Sequence, residues 1–537
     1  MPARPRAHAN PHLDAIPFAR RSVGAVLAAA AAQRPDRVLF GFDGAPHTLA
    51  AVDARARALA AGLADAGIGP GTAVAVLMDN SPAYLDVWFA LSKLGAIEVP
   101  INTAFHGDLL AHQLRGAQVA LAIVDASYRA AVEQALGDRP ARIVETSELA
   151  ALRADGAAAA PPGVADVAAV GSVLYTSGTT GPSKGVMLSH HQLLSFGAFY
   201  SEIAQVTAED VILNYLPHFH VAGKFLTLSA LLTGARMVLR ERLSVSGFWD
   251  DVRAEGITNF IAVGGVCNML AARPARPDDA DNPVRLVYAV PAPAEIYDAF
   301  QERFGLELVE AYGSTEANLV LYTDPEDHAP GSCGRPNGCF DVRLVDDAGD
   351  FATEGEIVVR PKDPLLTFSG YLAQPDATAR AWRDGWFLTG DRARVDDEGR
   401  FWFLDRIKDA IRRRGENISS FEVERLVGAH PGVAEVAAVP TASELGEDEV
   451  LVFVVPNDGA VVEPEALFRF CAATMPYFMV PRFIEPVAEL VRTPTNKVAK
   501  HVLRDRGRSE RTWDAQAAGL RVGRDGEVVA VAAGRGA

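Results

Sequence analysis

The chain has 537 residues, 49% hydrophobic and 22% charged, a length that exceeds one compact core and a composition ordinary for a globular enzyme of three or four domain-sized units. Lys plus Arg total 51 and Asp plus Glu 68, a formal charge of −17, which argues against general nucleic-acid binding because displacing counterions needs a positive field. The four cysteines (Cys267, Cys333, Cys339, Cys471) form no CxxC pair and suit free thiols in a reducing, cytoplasmic compartment, not a disulfide frame or a zinc site.

Residues 1–15, rich in Pro, Arg and His, read as a loose tail. Arg20-Arg21 before an alanine run resembles a twin-arginine export signal, but the run is weakly apolar and flows into Gln33-Arg34-Pro35-Asp36, so a first helix over 22–32 is expected. No apolar stretch reaches about 18 residues, and no membrane span is expected. Asp53 to Ala66 has helical spacing and is stopped by Gly67, Gly69, Pro70 and Gly71; Ala73 to Met78 follows as a buried strand. Tyr84 to Leu94 is again helical up to Gly95, and Ala96–Pro100 and Val119–Val124 repeat the strand theme. This alternation predicts a layered α/β domain with helices on both sheet faces. Residues 153–167 read as an Ala/Pro/Gly-rich linker or surface loop. From about 334 to 404, short strands between Gly and Asp turns predict a small β-barrel-like unit. Beyond Asp405-Arg406 the pattern is α+β, with helices over 421–428 and 464–473 and strands over 435–439 and 449–455. The expected division is an N-terminal domain over 16–405, a smaller mobile domain over 406–510, and a tail over 511–537.

The strand Val173-Leu174-Tyr175 runs directly into Thr176-Ser177-Gly178-Thr179-Thr180-Gly181-Pro182-Ser183-Lys184-Gly185. Glycines let backbone N–H groups approach an anion, hydroxyls add donors, and Lys184 adds charge, so the segment reads as a phosphate-binding loop. It lacks the Gly-Lys-Ser/Thr order of the P-loop. His218 and His220 sit two apart, yet no third ligand has recognisable metal spacing.

This loop closely resembles the signature of the adenylate-forming superfamily, which includes acyl-CoA synthetases, peptide-synthetase adenylation domains and luciferases. Five further segments lie downstream in that family's order, so the resemblance covers about residues 22–505. Phe219-His220-Val221-Ala222-Gly223 resembles the segment whose His gates the carboxylate, and with Lys224 and Ala289 it marks an expected acyl pocket formed by His220, Gly223, Lys224 and Ala289. Tyr312-Gly313-Ser314-Thr315-Glu316 matches the family's Tyr-Gly-x-Thr-Glu; the resemblance implies that Tyr312 lies against adenine, Thr315 donates to the α-phosphate and Glu316 helps hold Mg²⁺. Asp391 and Arg406 match the ribose-binding positions, Lys408 the hinge, and Arg414 and Gly415 the wall of a pantetheine tunnel. Lys497, in Pro494-Thr495-Asn496-Lys497, matches the lysine that enters the site during adenylation.

The implied activity is ligation of a carboxylic acid to coenzyme A through an acyl-adenylate, with ATP and Mg²⁺, by an enzyme that alternates between two domain arrangements. The resemblance leaves a homodimer open and names no acyl group. Three departures stand out: Asn496 replaces a Gly, Arg414 stands where many members have a second Gly, and Tyr288-Ala289-Val290-Pro291 replaces a Gly-Gly-Ala segment. The triple-Arg loop 412–414 and Asn282-Pro283-Val284-Arg285 look most like the carnitine-CoA ligase-like branch. Rival readings are a standalone adenylation enzyme that loads a carrier protein, a member that performs only thiolation of a supplied adenylate, and an inactive nucleotide-binding regulator.

Overall fold

The structure, a computed structural model, describes residues 16–137, 141–153, 166–176, 183–263, 266–290, 292, 294–326, 329–406, 410–444, 446–457, 459–492 and 498–530. Two sheets make the large N-terminal part. The first has six strands in the order Arg142–Glu145, Leu121–Val124, Ala73–Leu77, Ile97–Pro100, Val170–Thr176, Lys184–Ser189, parallel except for the last pair. The second has nine, and its centre is the parallel run Glu307–Ser314, Leu286–Val290, Asn259–Val263, Val211–Asn214, Arg236–Leu239. Near-continuous apolar strands such as Ala73-Val74-Ala75-Val76-Leu77 need cover on both faces, and a single core cluster joins residues of both sheets with the helices between them.

The helix Pro82–Leu94 shows how local sequence sets its limits. The Ser81 hydroxyl accepts from the Tyr84 N–H, Pro82 occupies the first turn, and Gly95 takes φ 69° just past the end. The first helix is Val23–Gln33 with Ser22 as its cap, matching the expected alanine-rich helix over 22–32. The next, Leu49–Asp65, begins a turn earlier than periodicity predicts because the Thr48 hydroxyl accepts from Ala51 N–H. No helix of the described residues is long and apolar enough to cross a membrane.

Residues 340–406 form a six-stranded antiparallel sheet, which pairs in an open path among the described residues. Beyond it lies a separate lobe: the hairpin Ala410–Arg413/Glu416–Ser419, the helix Ser420–Gly428, and a sheet of Val433–Ala442, Asp448–Pro456, Phe483–Pro486 and Trp513–Asp514. Its core is its own, joined from the N-terminal side by Leu109. The expected tail over 511–537 is corrected by the fold over residues 511–530, the part the structure describes. Trp513–Asp514 pairs with Phe483–Pro486, Arg482 binds Asp514 at 3.0 Å, Trp513 packs on Phe468, and Leu520–Val522 forms a hairpin with Val528–Ala530. Periodicity missed these strands because each is only two or three residues long.

Candidate active site

A cavity of about 1480 Å³ lies between the two N-terminal sheets and the smaller lobe. Its wall includes Thr176 and Lys184 from the ends of the phosphate-loop segment, Tyr312 to Glu316 from the end of the strand Glu307–Ser314, Asp391, His220, and Gly415 and Glu416 from the small lobe. Strand ends are where open α/β sheets place ligands, since neighbouring connections splay apart there. Ser177 to Pro182, Lys408 and Lys497 lie outside the described residues; they include Ser177, Gly178, Thr179, Thr180 and Gly181 of the loop. The backbone of Arg406 pairs in register with Asp391.

The polar side chains on the wall are interlocked. The Tyr312 hydroxyl donates to Asp391 Oδ2 at 2.7 Å, although 79 positions separate them. The Tyr371 hydroxyl donates to Glu316 Oε1 at 3.1 Å, and Lys184 Nζ lies 4.7 Å from the centre of the same ring. Gln192 donates to the carbonyls of Thr315 and Glu316 at 3.0 and 3.1 Å and so fixes that turn. Glu310, on the same strand as Tyr312, is buried with Oε2 unpartnered among the described residues, and burial pushes its carboxyl up to about 8.

At the other end Phe196, Phe225, Ile261 and Tyr288 give an apolar wall. Three residues expected in the acyl pocket are not part of it. Lys224 and its partner Glu98 are both 0% exposed: Lys224 Nζ donates to the two Glu98 oxygens at 2.7 and 2.6 Å, over the Trp88 ring at 4.2 Å. Tyr84 and Ser172 hydroxyls complete the Glu98 shell at 2.8 and 2.5 Å. Gly223 packs against the backbone, where a Cβ would meet the carbonyl oxygens of Pro217 and Leu216 at 2.5 and 2.6 Å. Ala289 is fully buried on the far face of its strand, because alternation puts Tyr288 and Val290 on the cavity side. His218 is enclosed between Asn80 at 2.7 Å and Thr227 at 2.9 Å, and burial holds its imidazole well below the usual range.

His220 lines the cavity, and its partner there comes from the small lobe. Its Nε2 lies 3.0 Å from Glu416 Oε2, and Asn102 donates to the other Glu416 oxygen at 3.4 Å. Burial works to lower the imidazole pKa, but the Glu416 carboxylate outweighs it and the net shift is upward. Glu416 follows a two-residue turn, Arg414-Gly415, with φ of 56° and 78° at its two positions. Such a turn demands left-handed backbone at both residues, the reason a Gly-Gly pair suits it; Glu447 clamps the Arg-Gly version by accepting from both N–H groups at 2.6 and 3.0 Å. Arg414 is not on the cavity wall. The turn directs it outward, with its guanidinium 5.7 Å from the Tyr477 ring centre.

The other two arginines of the triplet are tied inward. Arg413 donates to the carbonyls of Phe478 and Val480 at 3.0 and 2.7 Å, within the small lobe, and burial pulls its pKa down to about 10. Arg412 crosses the seam and donates to the Val290 carbonyl at 3.0 Å. Two sequence departures, the arginine loop and the Tyr288-Ala289-Val290 segment, therefore meet. A Ser183–Glu422 contact of 3.1 Å and an Arg425–Asp108 ion pair of 3.1 Å also cross the seam.

Residues 27–372 match the family model described as AMP-binding enzyme, and residues 422–497 match that of the AMP-binding enzyme C-terminal domain. The crotonobetaine/carnitine–CoA ligase of Salmonella typhi is 32% identical over 467 residues, 82% of this chain and 89% of the relative. Among solved structures, a double mutant of o-succinylbenzoate CoA synthetase (MenE) from Bacillus subtilis bound with its product analogue OSB-NCoA aligns with a TM-score of 0.81 at 24% identity, covering 90% of this chain and 98% of that one. The same synthetase in complex with AMP aligns at 0.66 and 25% identity, covering 90% and 99%.

Proposed function

The chain belongs to the AMP-binding enzyme family, and from that premise we propose that it is an AMP-forming acyl-CoA synthetase whose two half-reactions use two placements of the small lobe. In the first, a carboxylate oxygen attacks the α-phosphorus of ATP, the bond to the β-phosphate oxygen breaks, and diphosphate leaves. In the second, the CoA thiol loses its proton, sulfur attacks the acyl carbon, and AMP departs with the bonding electrons. Splitting the reaction this way exchanges hydroxide, a poor leaving group, for two good ones.

The observation that carries this reading is the placement of Gly415 and Glu416 of the small lobe on the cavity wall beside His220. A hairpin from a separate lobe at the carboxylate end of a nucleotide-sized cavity suits thiol delivery. The higher TM-score to the product-analogue complex of MenE than to its AMP complex supports the same assignment for this arrangement. Tyr312, Asp391, Thr315, Glu316 and Lys184 would bind the nucleotide in either arrangement. Glu316, a hard oxygen donor on the wall, fits Mg²⁺ of the kind held chiefly by phosphate oxygens with one or two carboxylates, and that ion would offset triphosphate charge. Lys497, Arg406 and Lys408 are assigned to adenylation, ribose binding and the hinge on the resemblance.

The wall formed by Phe196, Phe225, Ile261 and Tyr288, with the buried Lys224 neutralised by Glu98, favours an acid whose only charge is the carboxylate being activated. Acid-dependent exchange of labelled pyrophosphate into ATP, screened over acids with no charge beyond the carboxylate and over carnitine, tests the first half-reaction. Adding CoA alone and assaying AMP plus acyl-CoA tests the second. Exchange without CoA turnover would shift the assignment to a carrier-protein loader. Thiolation of synthetic acyl-adenylates without exchange would leave a single-step enzyme.

A further inference from the structure

The segment 368–372 is a strap sewn to two parts of the cavity wall. Ser369 N–H donates to the Met187 carbonyl at 2.8 Å, Met187 N–H to that of Gly370 at 3.0 Å, and Leu372 N–H to that of Gly185 at 2.8 Å. These three bonds bind the strap to the strand Lys184–Ser189. A fourth, from Phe368 N–H to the Glu316 carbonyl at 2.9 Å, reaches the turn after the strand Glu307–Ser314. Tyr371 stands within the strap, buried and on the cavity wall. Its N–H donates to the Thr378 hydroxyl at 2.8 Å, and its ring packs 4.9 Å from that of Phe368. Main chain and ring are thus both fixed before any ligand arrives.

This fixed side chain touches two opposite charges. Its hydroxyl donates to Glu316 Oε1 at 3.1 Å, and Lys184 Nζ lies 4.7 Å from its ring centre. The backbone of Glu316 is held separately, because its carbonyl accepts from Gln192 as well as from Phe368 N–H. What the Tyr371 hydroxyl adds is the rotation of the carboxylate. Burial, and next the Glu316 charge, push the phenol well above its ordinary pKa, so it stays a donor. Resting on the nucleotide-site reading above, we infer that Tyr371 is a positioning residue: its hydroxyl aims the Glu316 carboxylate at a divalent cation while its ring seats the Lys184 ammonium. A phenol can do both, since its hydroxyl donates at the edge and its face attracts cations. Phenylalanine could do only the second, and an aliphatic side chain neither.

The test measures binding, not turnover, on the full chain. Titration calorimetry follows α,β-methylene ATP, which cannot transfer its AMP, with and without Mg²⁺. Mg²⁺ should tighten binding to the wild type. Tyr371→Phe, which keeps the ring and its packing, should bind the metal-free analogue near wild type. It should lose roughly tenfold of the Mg²⁺-linked gain, the usual cost of removing an outer partner of a metal ligand. Tyr371→Leu should also weaken metal-free binding by about threefold, because Lys184 loses the ring beneath it. An acyl-sulfamoyl adenosine, which carries neither triphosphate nor metal, should bind wild type and Tyr371→Phe alike. An unchanged Mg²⁺-linked gain in Tyr371→Phe would overturn the inference, as would an equal loss for all three ligand conditions, the mark of a merely structural role. Unaltered metal-free binding in Tyr371→Leu would overturn the seating of Lys184. A wild type that binds no ATP analogue at all would instead remove the nucleotide-site reading, so the two failures are told apart.

Discussion

The imidazole of His220 and the carboxylate of Glu416 meet at 3.0 Å although 196 positions separate them in the chain. His220 belongs to the wall of the large domain and Glu416 to a hairpin of the small lobe, so the pair exists only when the lobes are docked as they are here. Glu416→Ala should slow thiol transfer from a supplied acyl-adenylate about tenfold, the loss of one charge-assisted hydrogen bond of roughly 1.5 kcal/mol, while exchange of pyrophosphate into ATP stays near wild type. Rapid-quench measurement of the two half-reactions checks this; equal losses in both would remove the pair from the docking step.

The same pair makes docking depend on pH in a definite direction. The His220 pKa is raised above its ordinary 6.5 when Glu416 is present, so the docked arrangement binds the proton more tightly. Its contribution is complete below 6.5 and is lost as pH climbs through the raised value. The docked fraction, read by interlobe energy transfer, should therefore fall with rising pH above 6.5, and Glu416→Gln should flatten the profile. A wild-type profile rising across that window would contradict the sign.

Lys497→Ala should reduce acid-dependent exchange by roughly 10²–10³, the usual cost of removing one preorganised charge donor from a developing transition state. Thiol transfer from a synthetic acyl-adenylate should remain within a few-fold of wild type. If both steps dropped together, one lobe placement would be serving both.

Substitutions of Gly415 should separate backbone strain from obstruction. A Cβ would stand 3.5 Å from Val263 Cγ2, an ordinary contact, but φ is 78°, so Gly415→Ala costs about 1–2 kcal/mol through the left-handed backbone. Gly415→Leu adds bulk to the cavity wall and should suppress CoA turnover well beyond the alanine variant, with exchange retained. Unimpaired CoA turnover in the leucine variant would dismiss the wall assignment.

Lys224→Ala is expected to act on stability. It would strand Glu98 in a fully buried site, and breaking such a pair typically costs about 3–5 kcal/mol. Denaturant unfolding should show that loss, whereas the order of preference within an acid panel should be unchanged in protein that still folds. A changed preference without destabilisation would return Lys224 to the acyl pocket.

Much of this molecule is written locally. The strand before Thr176, the stop at Gly95 and the Tyr312–Glu316 pentapeptide are legible because each depends on neighbours within a turn or a strand, and the family pattern orders the strand and the pentapeptide. Side-chain destinations were less legible. Lys224 stands one residue from Phe225 on the same helix, yet a helix turns about 100° per residue, so one lines the cavity and the other faces Glu98 in the core. Likewise Arg412, Arg413 and Arg414 look alike in sequence and end on Val290, in the lobe's interior and beside Tyr477.

Local order along the chain, then, was set by the residues themselves: which segments become strands, where helices start, and which loop carries backbone donors and a lysine. The pairings across the seam, His220 with Glu416, Ser183 with Glu422 and Arg412 with Val290, were decided only by the packing of two lobes. The reason is physical. A contact between residues more than a hundred positions apart leaves no periodicity or spacing in the sequence, because its geometry is fixed by how separate cores come to rest against each other.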